Sequence, residues 1–226
     1  MQTVTDTRTE RLAAYRALLT EFALMGQGAG LKITPFRGDG YLYFSDMPEH
    51  LQDALMAGFG SYVGVCREVL SEGGSLRDDQ ILLWRMFQKL KVHPPSDLMS
   101  QIGDGNVIEI YNGEFVQVFR NFNFFELCSY TLDDLLCRPF FQLFKREEWV
   151  TQKLMEVGFL FFSNQISGVY PWNTGEHTIL EIDSDERLLS VIENRIAAPL
   201  FNAAGQVEAV VNVIRCKSST STKKSQ

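Results

Sequence analysis

The chain has 226 residues, 45% hydrophobic and 22% charged, a globular composition that excludes a disordered protein and leaves room for one large domain or two small ones. No apolar run approaches the ~20 residues that cross a bilayer, and the polar stretch 1–10 lacks the apolar core of a secretion signal, so a cytoplasmic protein without membrane contact is expected. The net charge of −7 is uneven: residues 103–216 carry eight basic and sixteen acidic groups, which argues against nucleic acid as a partner, because phosphate binding draws on lysine and arginine.

Residues 8–25 have the pattern of an amphipathic helix. Thr7 and Glu10 stand at capping-box spacing, Leu12, Tyr15, Leu18, Leu19, Phe22 and Met25 recur on one side, and Gly26 is the expected stop. The glycine-rich stretch 26–30 follows a helix rather than a strand, the wrong context for a phosphate loop, and reads as a connector. Residues 31–45 read as a short β-hairpin turning at Arg37-Gly38-Asp39-Gly40. A second helix is expected from a capping box at Asp46 and Glu49 to about Leu70, weakened by Gly58, Gly60 and Gly64. A third runs from about Ser75 to Val92 and is stopped by His93-Pro94-Pro95. The span 93–105 is a connector with one helical turn.

The second half changes period. Val107–Tyr111 and Phe115–Arg120 flank Asn112-Gly113, the signature of a type I′ hairpin turn. Short helices follow at 122–127, 132–136, 140–144 and 147–157, then an irregular stretch at 163–177. Three strands close the chain at 178–183, 188–200 and 207–215, the last two joined by Asn202-Ala203-Ala204-Gly205. The predicted fold class is α+β: a five-stranded antiparallel sheet with helices over one face (103–216), preceded by a mainly α-helical region (1–102) and followed by a disordered polar tail (217–226).

Within this pattern, residues 121–139 resemble the PAS domain family. Asn121, Phe125, Tyr130, Asp133-Asp134, Leu135 and Arg138-Pro139 fall in register with its motif, and Pro199-Leu200 followed by Gly205 is similar to its closing hairpin. The resemblance covers residues 103–216. Ser129 and Cys137 stand where the family usually has glycines, and the loop 163–177 is longer than usual. The resemblance implies a sensory or protein-interaction domain that works in signal transduction.

Family cofactors are tested against the residues. The expected helix 147–157 has no histidine for haem, and 121–124 lacks the reactive cysteine of flavin photosensors, so neither group is expected. Eleven of the seventeen phenylalanines lie between Phe115 and Phe162. They read either as plain core or as the lining of a pocket for a small apolar ligand, formed by Phe124, Phe125, Phe140, Phe144 and Phe161 with Tyr130, Arg195 and Asn212 as polar anchors. Four widely spaced cysteines give neither a metal site nor a disulfide framework. Glu176-His177 supplies too few ligands for a metal, and no serine sits in a nucleophile elbow, so no enzyme activity is expected.

The expectation is a signalling or regulatory protein without an output domain, acting as a homodimer and by binding another regulatory protein. The stripes of helices 8–25 and 76–92 are the candidate dimer or partner surface, or pack on each other as core. A small hydrophobic ligand sensor is one alternative. A transcription regulator using residues 46–92 is another, though that region holds five basic against seven acidic groups.

Overall fold

The structure is a computed structural model that describes residues 3–222 apart from Phe115 and Asn173. Helix α1 spans Thr3–Gly28, so Thr7 lies inside the helix rather than at its cap. The chain leaves α1 through Gly30 at φ +80°, with the Leu31 N–H returning to the Gly26 carbonyl at 2.9 Å. This helix end, which satisfies the last carbonyls, lies beyond the stop expected at Gly26. Residues 31–42 form no hairpin. They turn at 37–40, where the Gly40 N–H meets the Arg37 carbonyl at 3.2 Å, and enter a 3-10 turn at Tyr43–Asp46.

Helix α2 (Glu49–Ser71) starts after Pro48 with no side-chain cap. Asp46 instead accepts a hydrogen bond from the Tyr41 hydroxyl. The glycines do not divide α2. Gly58 lets it approach the sheet, since a Cβ there would lie 2.7 Å from Val118 Cγ1. Helix α3 (Asp79–Leu90) is capped by Asp78, whose carboxylate accepts from the Ile81 N–H, and ends at Lys91 in the left-handed conformation. One turn, α4 (Leu98–Gln101), leads to the sheet.

Strands β1 (Asn106–Asn112) and β2 (Gln117–Arg120) pair antiparallel. They are not joined by a type I′ turn. Neither Asn112 nor Gly113 has positive φ, and Asn112 Oδ1 instead accepts from the N–H groups of Glu114 and Val116, closing a longer loop. The expected strand start at Phe115 lies outside the described residues. A 3-10 turn (Phe122–Glu126), α5 (Leu132–Cys137), α6 (Phe140–Leu143), the two-residue strand β3 (Phe144–Lys145) and α7 (Glu148–Phe162) follow. The short strand β4 (Tyr170–Pro171) and the long strands β5 (Glu176–Glu181), β6 (Leu188–Phe201) and β7 (Val207–Ser221) complete the chain.

The sheet is antiparallel throughout, in the order β2-β1-β7-β6-β5-β3 with β4 beside β6: seven strands among the described residues rather than five. Residues 217–221, expected as tail, continue β7, with Ser218 opposite Val191 and Ser221 opposite Leu188. The remaining tail positions 223–226 lie outside the described residues.

Helices cover both faces, those within residues 103–216 mainly the one and those of the N-terminal region the other. Strand alternation sends Ile108, Ile110, Ala198, Leu200, Val211 and Val213 to a back face, where they join one buried cluster with Phe22 of α1, Phe59 and Tyr62 of α2, and Leu83 and Phe87 of α3. The boundary expected at residue 102 therefore does not separate two cores, and the His93 and Phe201 backbones exchange hydrogen bonds of 2.8 and 2.9 Å across it. The stripes offered as a partner surface are largely inside: Tyr15, Leu19, Phe22 and Phe87 are buried, while Leu24, Ile81 and Trp84 remain exposed. The opposite, front face is covered by α5, α6 and α7 through two smaller clusters.

Candidate functional site

The front face begins as ordinary core. Val107, Ile179 and Ile214 pack with Phe124, Tyr130, Leu135, Leu143 and Phe144 at one end, and Ala197 and Val210 pack with Val157, Phe161 and Trp172 at the other. The eight residues proposed to line an apolar pocket are therefore split. Phe124, Tyr130 and Phe144 meet in the first cluster, with Phe125 at its border with the back-face core, and Phe161 belongs to the second. Phe140 lies beneath the Arg146 guanidinium. Arg195 occupies the register break of β6, where its carbonyl receives the Trp172 N–H, and Asn212 accepts from Trp172 Nε1 at 3.0 Å. The Tyr130 hydroxyl is committed to the fold: it donates to the Leu143 carbonyl at 2.5 Å and accepts from the Ile182 N–H at 2.9 Å.

Between the apolar clusters lies a polar group that the sequence reading passed over. β1–β2 register sets Glu109 opposite Arg120 and Tyr111 opposite Gln117. Arg120 Nη2 stands 3.0 Å from Glu109 Oε1, with both side chains under a tenth exposed. Gln117 Nε2 donates to Glu109 Oε1 and to the Tyr111 hydroxyl, each at 3.2 Å. The Arg120 guanidinium lies 3.7 Å above the Phe124 ring, a contact that suits a desolvated cation. Burial drives the Tyr111 hydroxyl upward and the Glu109 charge adds to this, against the opposing charges of Arg120 and Arg146.

Arg146, directly after β3, reaches the same region. Burial lowers its pKa, and the Glu109 carboxylate and Tyr111 push it back up. Arginine nonetheless stays charged in proteins. From β5, His177 projects to this face with Ile179. Its Nδ1 is 3.3 Å from the Gly175 carbonyl. Burial lowers its pKa, the Gly175 hydrogen bond opposes that, and the Arg146 charge lowers it further. Asn194 of β6 lies opposite Ile214, on the same face.

Several buried atoms of this group have no hydrogen-bond partner: Arg120 Nε and Nη1, Arg146 Nε, His177 Nε2, and both amide atoms of Asn194. Arg120, His177 and Asn194 are 6%, 3% and 2% exposed. Leaving such atoms unpaired costs ~1–3 kcal/mol each, and more for charged groups, so their concentration on one face is unusual for plain core. Glu109 and Arg120 are legible in hindsight, as charges inside the apolar strands Val107–Tyr111 and Gln117–Arg120. Arg146 and Asn194 carry no sequence signal, because only the tertiary packing turns them inward.

A second concavity, about 240 Å³, lies outside this group between the segment 34–39 and Tyr130, Asp134 and Asp183–Asp185. Its central carboxylate, Asp134, is held by two arginines. Arg37 and Arg138 approach Asp134 Oδ1 at 2.8 and 3.0 Å, and Arg138 reaches Asp183 at 3.1 Å. Burial raises the Asp134 carboxyl, but hydrogen bonds from Arg37, Thr131 and Arg138 outweigh it and hold the group below the usual range. This is a clasp fastening the segment before α2 to α5. Among the described residues no group of three His, Cys, Asp or Glu side chains could hold a metal ion, and no helix is long and apolar enough to cross a membrane.

No protein-family model matches the sequence, and no curated protein matches it. Solved structures similar over about half of the chain include two sensor-kinase domains. One is a domain of a light- and redox-sensing histidine kinase from Haloarcula marismortui, 10% identical, covering 54% of this chain and 96% of that one with a TM-score of 0.35. The other is a sensory box sensor histidine kinase from Vibrio cholerae, 15% identical, covering 57% and 90% with a TM-score of 0.34.

Proposed function

We propose that this chain is a regulatory protein whose sheet carries a PAS-like sensory site on its front face and reports occupancy through the helices on its back face. The observation that carries this reading is the convergence of unpartnered buried donors and acceptors on the front face. A binding role accounts for them better than a catalytic one, since the group offers hydrogen bonds and charge but no nucleophile paired with a base. The sheet is shared: Ile108 and Ile110 pack against α1–α3 while Glu109 between them faces the site. A ligand that prefers one arrangement of the front face therefore biases the packing of the back face by its differential affinity.

The chain acts, in this proposal, as a cytoplasmic homodimer that passes its state to another protein. Exposed Trp149, Met155 and Phe159 on α7 and Ile81 and Trp84 on α3 are the apolar surface available for such contacts. A nucleic-acid role for residues 46–92 is disfavoured, because Arg67, Arg77, Arg85 and Lys89 are each engaged by a carboxylate. Native mass spectrometry of freshly purified protein tests the reading. The expected result is a dimer with an added non-covalent mass that denaturation removes. A monomer at the bare polypeptide mass, unchanged by small-molecule extracts, refutes it.

A further inference from the structure

We infer that the outer face of α7 is a homodimer interface, in which two copies of the helix pair antiparallel about a two-fold axis. This inference rests on the homodimer reading above and gives it a surface. Val150, Val157 and Phe161 are buried, which fixes the face that α7 turns to the sheet. Trp149, Met155 and Phe159 lie away from it and are 48%, 45% and 66% exposed. At roughly 150–250 Å² for a large side chain, the three together leave ~300 Å² of apolar area in water along one helix. That is the size at which an exposed patch marks a binding surface, and a sizeable part of the ~800 Å² that each partner brings to a standard interface. The Trp149 ring is also held in place, because its indole N–H donates to Glu147 Oε2 at 2.5 Å. An exposed tryptophan fixed in advance loses little side-chain freedom on docking.

The spacing favours a second copy as the occupant. Trp149 and Phe159 stand at equal distances either side of position 154 in the sequence, so a two-fold axis at that height sets each Trp149 level with the partner's Phe159. The 3.6-residue period separates the two rings by about 80° around the helix, so they fall on opposite sides of the contact line and interleave rather than collide. The same operation sets Gln152 level with the partner's Glu156, an amide donor against a carboxylate. Lys153 stands 3.5 Å from the Glu156 of its own helix and comes within one residue's rise of the partner's Glu156. Shape and charge are thus self-complementary, as a two-fold contact demands. An anionic membrane surface suits this face less well, because within α7 Glu148 and Glu156 outnumber Lys153.

The test is sedimentation of the full chain over a range of concentrations. The wild type should associate to a dimer. Trp149→Glu and Phe159→Lys should each weaken dimerisation by roughly tenfold or more, with circular dichroism unchanged because both side chains are exposed. The double variant Trp149→Glu/Phe159→Lys sets opposite charges level across the axis and should recover the dimer. Trp84→Glu, on the exposed face of α3, should leave the dimer intact. A dimer that withstands both single substitutions, or that Trp84→Glu breaks in their place, overturns the α7 interface and leaves the homodimer reading standing. Single variants that dissociate, with no recovery in the double variant, overturn the antiparallel two-fold pairing. A wild-type chain that stays monomeric at every concentration overturns both.

Discussion

The close approach of α2 to the sheet makes a quantitative prediction about two glycines in one helix. Replacing a helix-interior glycine by alanine gains about 1 kcal/mol from backbone propensity alone. At Gly64 nothing lies within 4 Å of the added Cβ, so that gain should appear almost in full. At Gly58 the Cβ would meet Val118 Cγ1 at 2.7 Å and Val118 Cβ at 3.2 Å, both on a short side chain fixed to β2. Overpacking of that kind costs about 1–3 kcal/mol, which cancels or exceeds the propensity gain. Gly64→Ala should therefore raise the melting temperature by about 2–4 °C, and Gly58→Ala should leave it unchanged or lower it by up to about twice that amount. Urea denaturation of both variants, with circular dichroism as the probe, measures the difference. In a Val118→Ala background the methyl group at 2.7 Å is gone while the Cβ at 3.2 Å remains, so Gly58→Ala should there be less destabilising than in the wild-type background, short of the full gain at Gly64. Equal stabilisation by both substitutions in the wild-type background would refute the docking of α2 on β2, and with it the route from the sheet to the N-terminal helices.

Three further outcomes follow from buried polar groups. Burial raises Asp79 to about 6, against lowering hydrogen bonds from Asn121 and Asn123. Its folded pKa thus exceeds its unfolded one, and stability gained from this group increases as pH falls from 7 to 5, by about 0.5–1 kcal/mol after allowance for partial exposure. His177 works in the opposite sense, so the measurement is the difference from Asp79→Asn, which should be more stable than wild type at pH 7 and lose that advantage at pH 5. Asn121 is fully buried, accepts from the Ile108 N–H at 3.0 Å and donates to the Asn106 carbonyl at 2.7 Å; Asn121→Ala should cost about 2–3 kcal/mol in chemical denaturation. Glu109→Gln removes the carboxylate that Arg120 faces and should cost about 3 kcal/mol or more, whereas Glu109→Leu combined with Arg120→Met should recover most of it. A double variant as unstable as Glu109→Gln would show that packing rather than charge dominates there.

Local signals in the sequence were enough to place most elements and to suggest how they pair. The helical stripe Tyr15, Leu19 and Phe22, the stop at His93-Pro94-Pro95, the Asn202–Gly205 turn and the alternation of the long strands all act over a few residues, and each corresponds to an element of the structure. The same local signals misled where a distant partner decided the outcome. Asp46 has the spacing of a helix cap but bonds to Tyr41. Asn112-Gly113 has the composition of a type I′ turn, but the loop closes around the Asn112 side chain. Residues 217–221 have the composition of a tail but find a partner in the first half of β6.

Which face a helix covers, and which polar side chains are shut in with it, is not a local property. Phe124 and Phe161 look alike in a list of aromatic residues, yet they belong to different clusters. Arg146 looks like any surface arginine between Lys145 and Glu147, yet it is turned over Phe140 toward Glu109. By itself, the sequence determined the main helices and long strands, the antiparallel character of the sheet and the abundance of aromatic core, because propensity and period are set by near neighbours. Only the tertiary structure decided that the helices divide between two faces and that Glu109, Arg120, His177 and Asn194 are enclosed beneath one of them, because burial and hydrogen-bond satisfaction depend on residues distant in the chain.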